Sequence, residues 1–194
     1  RHGGRLISTL CDINIKSRRR IIFGMKKSRK NSFAFCGGAF GDEGKGRVVD
    51  EYVNNILSEG PVVVYRDNGG SNAGHNVELP DGRRIALHQI PSGIFCPRAT
   101  VVLGKEMVLH PGDLVFEIDS AFQLAGKGSH AKIIIDEMAL LSLDTHRAFE
   151  SALKLWHEGG KAATGRGISP AYMDVLLRQP LRMRGLVGWD RNRL

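Results

Sequence analysis

The sequence predicts an α/β fold, a mainly parallel sheet with flanking helices. Two patterns alternate along the chain. Short apolar or β-branched runs such as Val62–Tyr65 and Ala131–Ile135 read as strands. Between them lie stretches whose apolar residues recur at helical spacing. A third observation joins the two: glycine-rich loops follow several of the runs, at the strand ends where the crevices of such sheets form.

Each element has its own reason. Phe33–Cys36 is an apolar run read as a buried strand, with Cys36 as a small core residue. Val48, Val49, Tyr52, Val53 and Ile56 predict a helix over 45–57. Val62–Tyr65 is the second strand. Asp81-Gly82 suits a hairpin turn between extended segments, with a strand over 85–90. Val101–Leu103 follows as a strand. Pro111 opens a helix at its first turn, Leu114, Val115, Ile118, Ala121 and Phe122 fill its apolar positions, and Gly126 stops it. Ala131–Ile135 is a strand. Residues 144–157 read as a helix with Ala148, Phe149, Ala152 and Leu155 on one face. The tail from Arg182 to Leu194 has no periodicity and is expected to fray.

Composition sets bounds. The 194 residues suit one domain or one large lobe, and no apolar run is long enough to span a membrane. The net charge of +8 is concentrated at one end. Residues 1–30 hold ten of the 28 Lys and Arg against Asp12 alone, so the remainder carries −1. The predicted folded part is therefore near neutral, which argues against nucleic acid as its partner. The chain does not begin with Met, and Met25 shortly precedes the first run. Residues 1–30 read as a basic leader, disordered or non-native, loosely like an Arg-rich transit segment. The cysteines Cys11, Cys36 and Cys96 have no metal-ligand spacing, and a reducing cytoplasm is the default compartment.

Three loops carry the chemistry. The first is Gly37-Gly38-Ala39-Phe40-Gly41-Asp42-Glu43-Gly44-Lys45-Gly46-Arg47, with five glycines in eleven residues between a predicted strand and a predicted helix. Backbone N–H groups in such a loop cradle phosphate. It departs from the standard phosphate loop: with Gly44-Lys45 fixed, Ala39 stands at the first glycine position and Gly46 at the hydroxyl position. Asp42 is then the available oxygen ligand for a metal ion. The second loop, Asn68 to His75, ends a strand, and His75 is either a structural histidine or a proton donor facing phosphate. The third, Ala163 to Tyr172, offers Thr164, Arg166 and exposed amides, and reads equally as a phosphate contact or a solvated turn.

Together the loops are specific. Gly-Asp-Glu-Gly-Lys-Gly at 41–46, Gly-Gly-Ser-Asn-Ala-Gly-His at 69–75, His88-Gln89-Ile90-Pro91-Ser92-Gly93-Ile94 and Thr-Gly-Arg-Gly-Ile-Ser-Pro-Ala-Tyr at 164–172 resemble, in order and spacing, the adenylosuccinate synthetase family across residues 33–182. The resemblance implies a P-loop-like nucleotide-binding architecture over residues 31–182, incomplete relative to the family, with 183–194 a divergent tail. It implies a GTP-dependent ligase that joins IMP and L-aspartate, uses Mg2+, works as a homodimer and is cytoplasmic. By resemblance Asp42, His75 and Lys45 are catalytic. Gly41, Asp42, Glu43, Gly44, Lys45, Gly46, Arg47, Gly74, His75 and Asn76 line the GTP site. Asp42, Glu43, Gly44, Lys45, Asn72, Ala73, Gly74, His75, Thr164 and Arg178 meet IMP, Arg178 reaching the neighbouring subunit. Asp42 and the Gly74 carbonyl bind the metal.

The chain also departs from the family pattern. Asn68 stands for a common Gln, Ser71 for a common His, Arg47 for Lys, Ala163 for Thr and Ser169 for Gly. The later Thr-Lys-x-Asp segment for guanine and the arginine loop for aspartate are not found in these residues; Leu141-Ser142-Leu143-Asp144 lacks the lysine. The expectation is little or no synthetase turnover by these residues alone. The alternatives are a non-catalytic IMP- or phosphate-binding remnant and an atypical GTPase.

Overall fold

The computed structural model describes residues 32–38, 43–56, 60–79, 81–126, 128–156 and 164–186. The chain divides into two compact units, 1–35 and 36–194. The leader over 1–30 lies outside the described residues. Phe33–Cys36 is not a strand: Phe33 is 43% exposed and Cys36 is exposed too. A four-residue apolar run becomes a parallel strand only where both faces are covered, and periodicity does not report covering.

In the second unit three parallel strands form the main sheet, β1 (Val62–Arg66), β4 (Ala99–Leu103) and β6 (Lys132–Ile135), in that spatial order. Between β1 and β4 the chain makes an antiparallel hairpin, β2 (His75–Glu78) with β3 (Arg84–Leu87), turned by Asp81-Gly82 as predicted. Asp81 accepts the Arg83 N–H at 3.0 Å, and Gly82 takes φ 85°. β3 ends at Leu87, short of the residue-90 end expected for it.

The parallel ladder then resumes in a second tier. β5 (Val108–Leu109) pairs parallel with β7 (Leu140–Leu141), while Gly70 bridges Val108 and Arg182 bridges Leu140. Gly70, β5 and β7 follow β1, β4 and β6 in the chain, so this tier sits past the carboxyl ends of the main strands. Gly70 is required there: a Cβ would lie 2.5 Å from the Val108 carbonyl oxygen.

Among the described residues four α-helices accompany the sheets. α1 (Lys45–Glu51) passes into a π turn over Tyr52–Ile56, rather than one continuous α-helix. α2 (Pro111–Ala125) has the predicted ends: His110 caps it by accepting the Asp113 N–H at 3.1 Å, and Gly126 follows at φ 80°. Its buried stripe is Leu114, Glu117 and Ala121, and Val115 is exposed. α3 (Asp144–Trp156) forms as predicted but does not bury the predicted face. Ala148, Phe149 and Ala152 are exposed, the Leu155 side chain lies outside those described, and among the described side chains Glu150 is the buried one, its carboxylate accepting the Gly167 N–H at 2.9 Å. α4 (Ile168–Leu176) begins inside the loop expected over 163–172; Pro170 sits in its first turn, where a missing N–H costs nothing.

The core gathers Leu87, Ile90, Ile94, Val101, Leu103, Leu109, Leu114 and Ala121 between one sheet face and α2. Arg182–Leu186 does not fray. Arg182 donates to the Met138 carbonyl at 2.5 Å, and the Met183 and Arg184 N–H groups bond Ala139 and Glu137 carbonyls at 2.9 and 2.8 Å. Residues 187–194 lie outside the described residues.

Candidate functional site

Gly44 leads into α1 with φ 77°, the left-handed conformation that glycine adopts freely, and its carbonyl accepts the Val48 N–H at 3.1 Å. Gly41 and Asp42 lie outside the described residues. Lys45 Nζ pairs with Glu43 Oε2 at 2.5 Å. Arg47 points to solvent and pairs with Glu51 at 3.0 Å.

β2 begins at His75, and α1 packs against it. The His75 ring fills the space over Gly46: a Cβ there would lie 2.7 Å from the ring Cδ2. Loop one and loop two therefore meet at Gly46 and His75. Burial, then the charges of Arg66 and His88, push the His75 imidazole down to about 4, so it is neutral at pH 7. Its Nε2 is buried and has no protein partner. A polar atom buried without a partner costs about 1–3 kcal/mol and is the kind of atom a ligand satisfies.

Asn72, Ala73, Gly74 and Asn76 are exposed beside it. Gly74 lies on the His88 ring, where a Cβ would be 3.1 Å from Nε2. Ser71 is buried at 3% exposure with its Oγ unpartnered.

Loop three is held from below. Gly167 at φ 72° packs against α3, where a Cβ would lie 2.5 Å from Ser142 Oγ, and Ser142 Oγ donates to the Arg166 carbonyl at 2.9 Å. Ile168, opening α4, approaches Gly70 of loop two within 2.6 Å of where its Cβ would stand. So loop three adjoins loop two, as loop two adjoins loop one. Thr164 is exposed on this loop.

Arg178 stands at the far end of α4, exposed, with φ 61°. Its N–H bonds the Val175 carbonyl at 3.1 Å and the Gln179 N–H bonds Asp174 at 2.8 Å, a Schellman closure in the position where glycine is usual. A left-handed arginine costs about 1–2 kcal/mol.

Four supporting residues have no role in the sequence reading, although Ser92 stands within the 88–94 motif. Arg66, closing β1, donates to the carbonyls of His88 and Gln89 at 2.6 and 3.2 Å. Glu117, buried on α2, accepts the N–H groups of His88, Gln89 and Ile90 at 2.8, 3.1 and 3.0 Å. Ser92 Oγ donates to the Gly46 carbonyl at 2.7 Å, and Asp50 accepts the Gly93 N–H at 3.2 Å. A carboxylate in the apolar stripe of α2 was the one signal on view.

Among the described residues no three His, Cys, Asp or Glu side chains cluster to hold a metal ion. No helix among them is long and apolar enough to cross a membrane. Asp42, the carboxylate expected to hold a metal, lies outside the described residues, and Gly74, whose carbonyl is the other expected donor, is exposed.

Comparison with known proteins agrees with the loops. The family model described as adenylosuccinate synthetase matches residues 34–193. The adenylosuccinate synthetase of Myxococcus xanthus is 40% identical over 159 residues, 81% of this chain and 35% of that protein. The chloroplastic adenylosuccinate synthetase of Ostreococcus tauri is 36% identical over 175 residues, 87% of this chain and 35% of that one. The fully ligated adenylosuccinate synthetase structure from Plasmodium falciparum superposes with a TM-score of 0.59 at 30% identity, covering 74% of this chain and 32% of that one. The chain thus spans about a third of the length of the curated relatives it matches.

Proposed function

The chain belongs to the adenylosuccinate synthetase family, and we propose that its residues 31–182 are the nucleotide-binding portion of a GTP-dependent ligase. The reaction joins IMP and L-aspartate to give adenylosuccinate, GDP and phosphate. The observation that carries this reading is the His75 ring resting on Gly46 with its Nε2 buried and unpartnered.

The roles follow from the chemistry. Asp42 takes the N1 proton of IMP, which makes O6 a better nucleophile toward the γ-phosphorus of GTP. His75, neutral, donates a hydrogen bond from Nε2 as charge moves onto the β-phosphate. Lys45 exchanges Glu43 for phosphate. Mg2+, held by Asp42 and the Gly74 carbonyl, supplies neutralisation of phosphate charge when bound. The amino group of aspartate then attacks C6, and the phosphate formed on O6 leaves.

Asn72, Ala73 and Gly74 line the IMP side, and Thr164 receives the IMP phosphate. Gly41, Glu43, Gly44, Gly46, Arg47 and Asn76 surround GTP. Arg178 reaches the IMP of a second copy in a homodimer, which gives its strained backbone a purpose. We place the protein in the cytoplasm.

The guanine and aspartate segments are not found in these residues, so IMP binding without turnover is expected. Calorimetric titration of the chain with IMP, with and without GTP and Mg2+, tests this. Absence of IMP binding overturns the reading, and so does GTP hydrolysis independent of IMP. Adenylosuccinate formed by the purified chain would refute the expected lack of turnover.

A further inference from the structure

Segment 88–93 lies under Gly74 and is gripped on both edges. On one edge the Glu117 carboxylate accepts three successive N–H groups, from His88, Gln89 and Ile90. On the other, the Arg66 guanidinium donates to the carbonyls of His88 and Gln89, and at 3.3 Å to that of Gly70. One carboxylate collecting three consecutive amides curls the backbone, which is why β3 stops at Leu87. The far end of the segment holds α1, through Ser92 on Gly46 and Gly93 on Asp50. The near end carries the His88 ring on which Gly74 rests. The segment therefore touches both sides of His75: the residue before it, and the glycine its ring covers.

We infer that Arg66 and Glu117 are positioning residues for His75, acting through segment 88–93, which they hold in the shape that keeps Gly74-His75 facing Gly46. An apolar pair of equal volume would serve the core as well or better. It would not bind the N–H groups and carbonyls of the same two peptides. The inference rests on the reading above only in taking His75 as the imidazole that meets phosphate.

The test uses the 194-residue chain with isotope-labelled histidine, as wild type, Glu117→Gln and Arg66→Lys. Gln keeps the volume and one acceptor oxygen but loses the charge. Lys keeps the charge but loses the fork that reaches several carbonyls. The ring signals of His75 and His88 are read at neutral pH, with His130 beside β6 and His146 on α3 as reporters of the rest of the fold. Both variants are expected to move or broaden His75 and His88 while His130 and His146 stay in place. Their affinity for IMP is expected to fall about tenfold, the scale of one lost hydrogen bond to a charged group. Unmoved His75 signals in both variants overturn the inference. Equal movement of all four histidines also overturns it, because the pair would then only hold the core together. A wild-type chain that does not bind IMP refutes the nucleotide reading instead, and the ligand-free spectra still decide the role of Arg66 and Glu117.

Discussion

His75 is neutral in the folded chain because its ring is buried against Gly46, with Arg66 and His88 adding repulsion. The sign of its effect on stability follows. Between pH 6.5 and about 4 the unfolded chain takes up a proton on this ring and the folded chain does not. Stability is therefore full above pH 6.5 and falls with acid to about pH 4, by ~3 kcal/mol. Urea denaturation across that range checks this, and His75→Gln should flatten the pH dependence there. Arg178 offers a second test at this scale. Relief of its φ of 61° by Arg178→Gly should stabilise the chain by about 1 kcal/mol in thermal or urea unfolding. If the arginine serves IMP in a second copy, the same change weakens nucleotide binding by a dimer. A destabilised Arg178→Gly chain would mean that the guanidinium, not the backbone, dominates.

Among elements, close backbone approaches decide how the loops meet. Gly70→Ala drives a methyl into the Val108 carbonyl and the Ile168 side chain, and should destabilise the second tier by about 1–3 kcal/mol. Gly46→Ala meets the His75 ring instead, and should tilt β2 from α1 with a similar loss. Hydrogen exchange of the β5–β7 amides separates the two, because only Gly70→Ala should expose them. Strands β1, β4 and β6 and helix α2 were legible because apolar runs, Pro111 and Gly126 are local signals. The buried face of α3 was not. Ala148, Phe149 and Ala152 look outward, and it is Glu150 that turns inward to meet Gly167, a partner 17 positions away. The curl at 88–90 was equally hidden, since its cause is a carboxylate on α2. Ser142, His146 and Glu150 under loop three make the same point: sequence spacing identifies the loop, while the side chains that hold it come from α3 and the turn before it.

At the scale of the whole molecule the telling feature is a parallel sheet that, among the described residues, is covered on one face. Val62, Ala99, Val101 and Leu103 are buried, whereas Val63 is 67%, Tyr65 56% and Ile134 41% exposed. Parallel sheets are stable with both faces covered, and exposed apolar patches associate. The chain alone is expected to self-associate with rising concentration. Sedimentation velocity checks this, and Val63→Lys with Ile134→Lys should shift the population toward monomer with little loss of melting temperature. A monomer at every concentration would refute it. The sequence by itself determined the family, the runs that become β1, β4 and β6, and the three loops, because each is written in neighbouring residues: glycines where the backbone must turn tightly, apolar runs where it must be buried. Only the tertiary structure decided that His75 is neutral over Gly46, that Arg66 and Glu117 grip one segment from opposite edges, and that one sheet face stands open. Burial, electrostatics and coverage depend on groups brought near by folding, and no local stretch of sequence contains them.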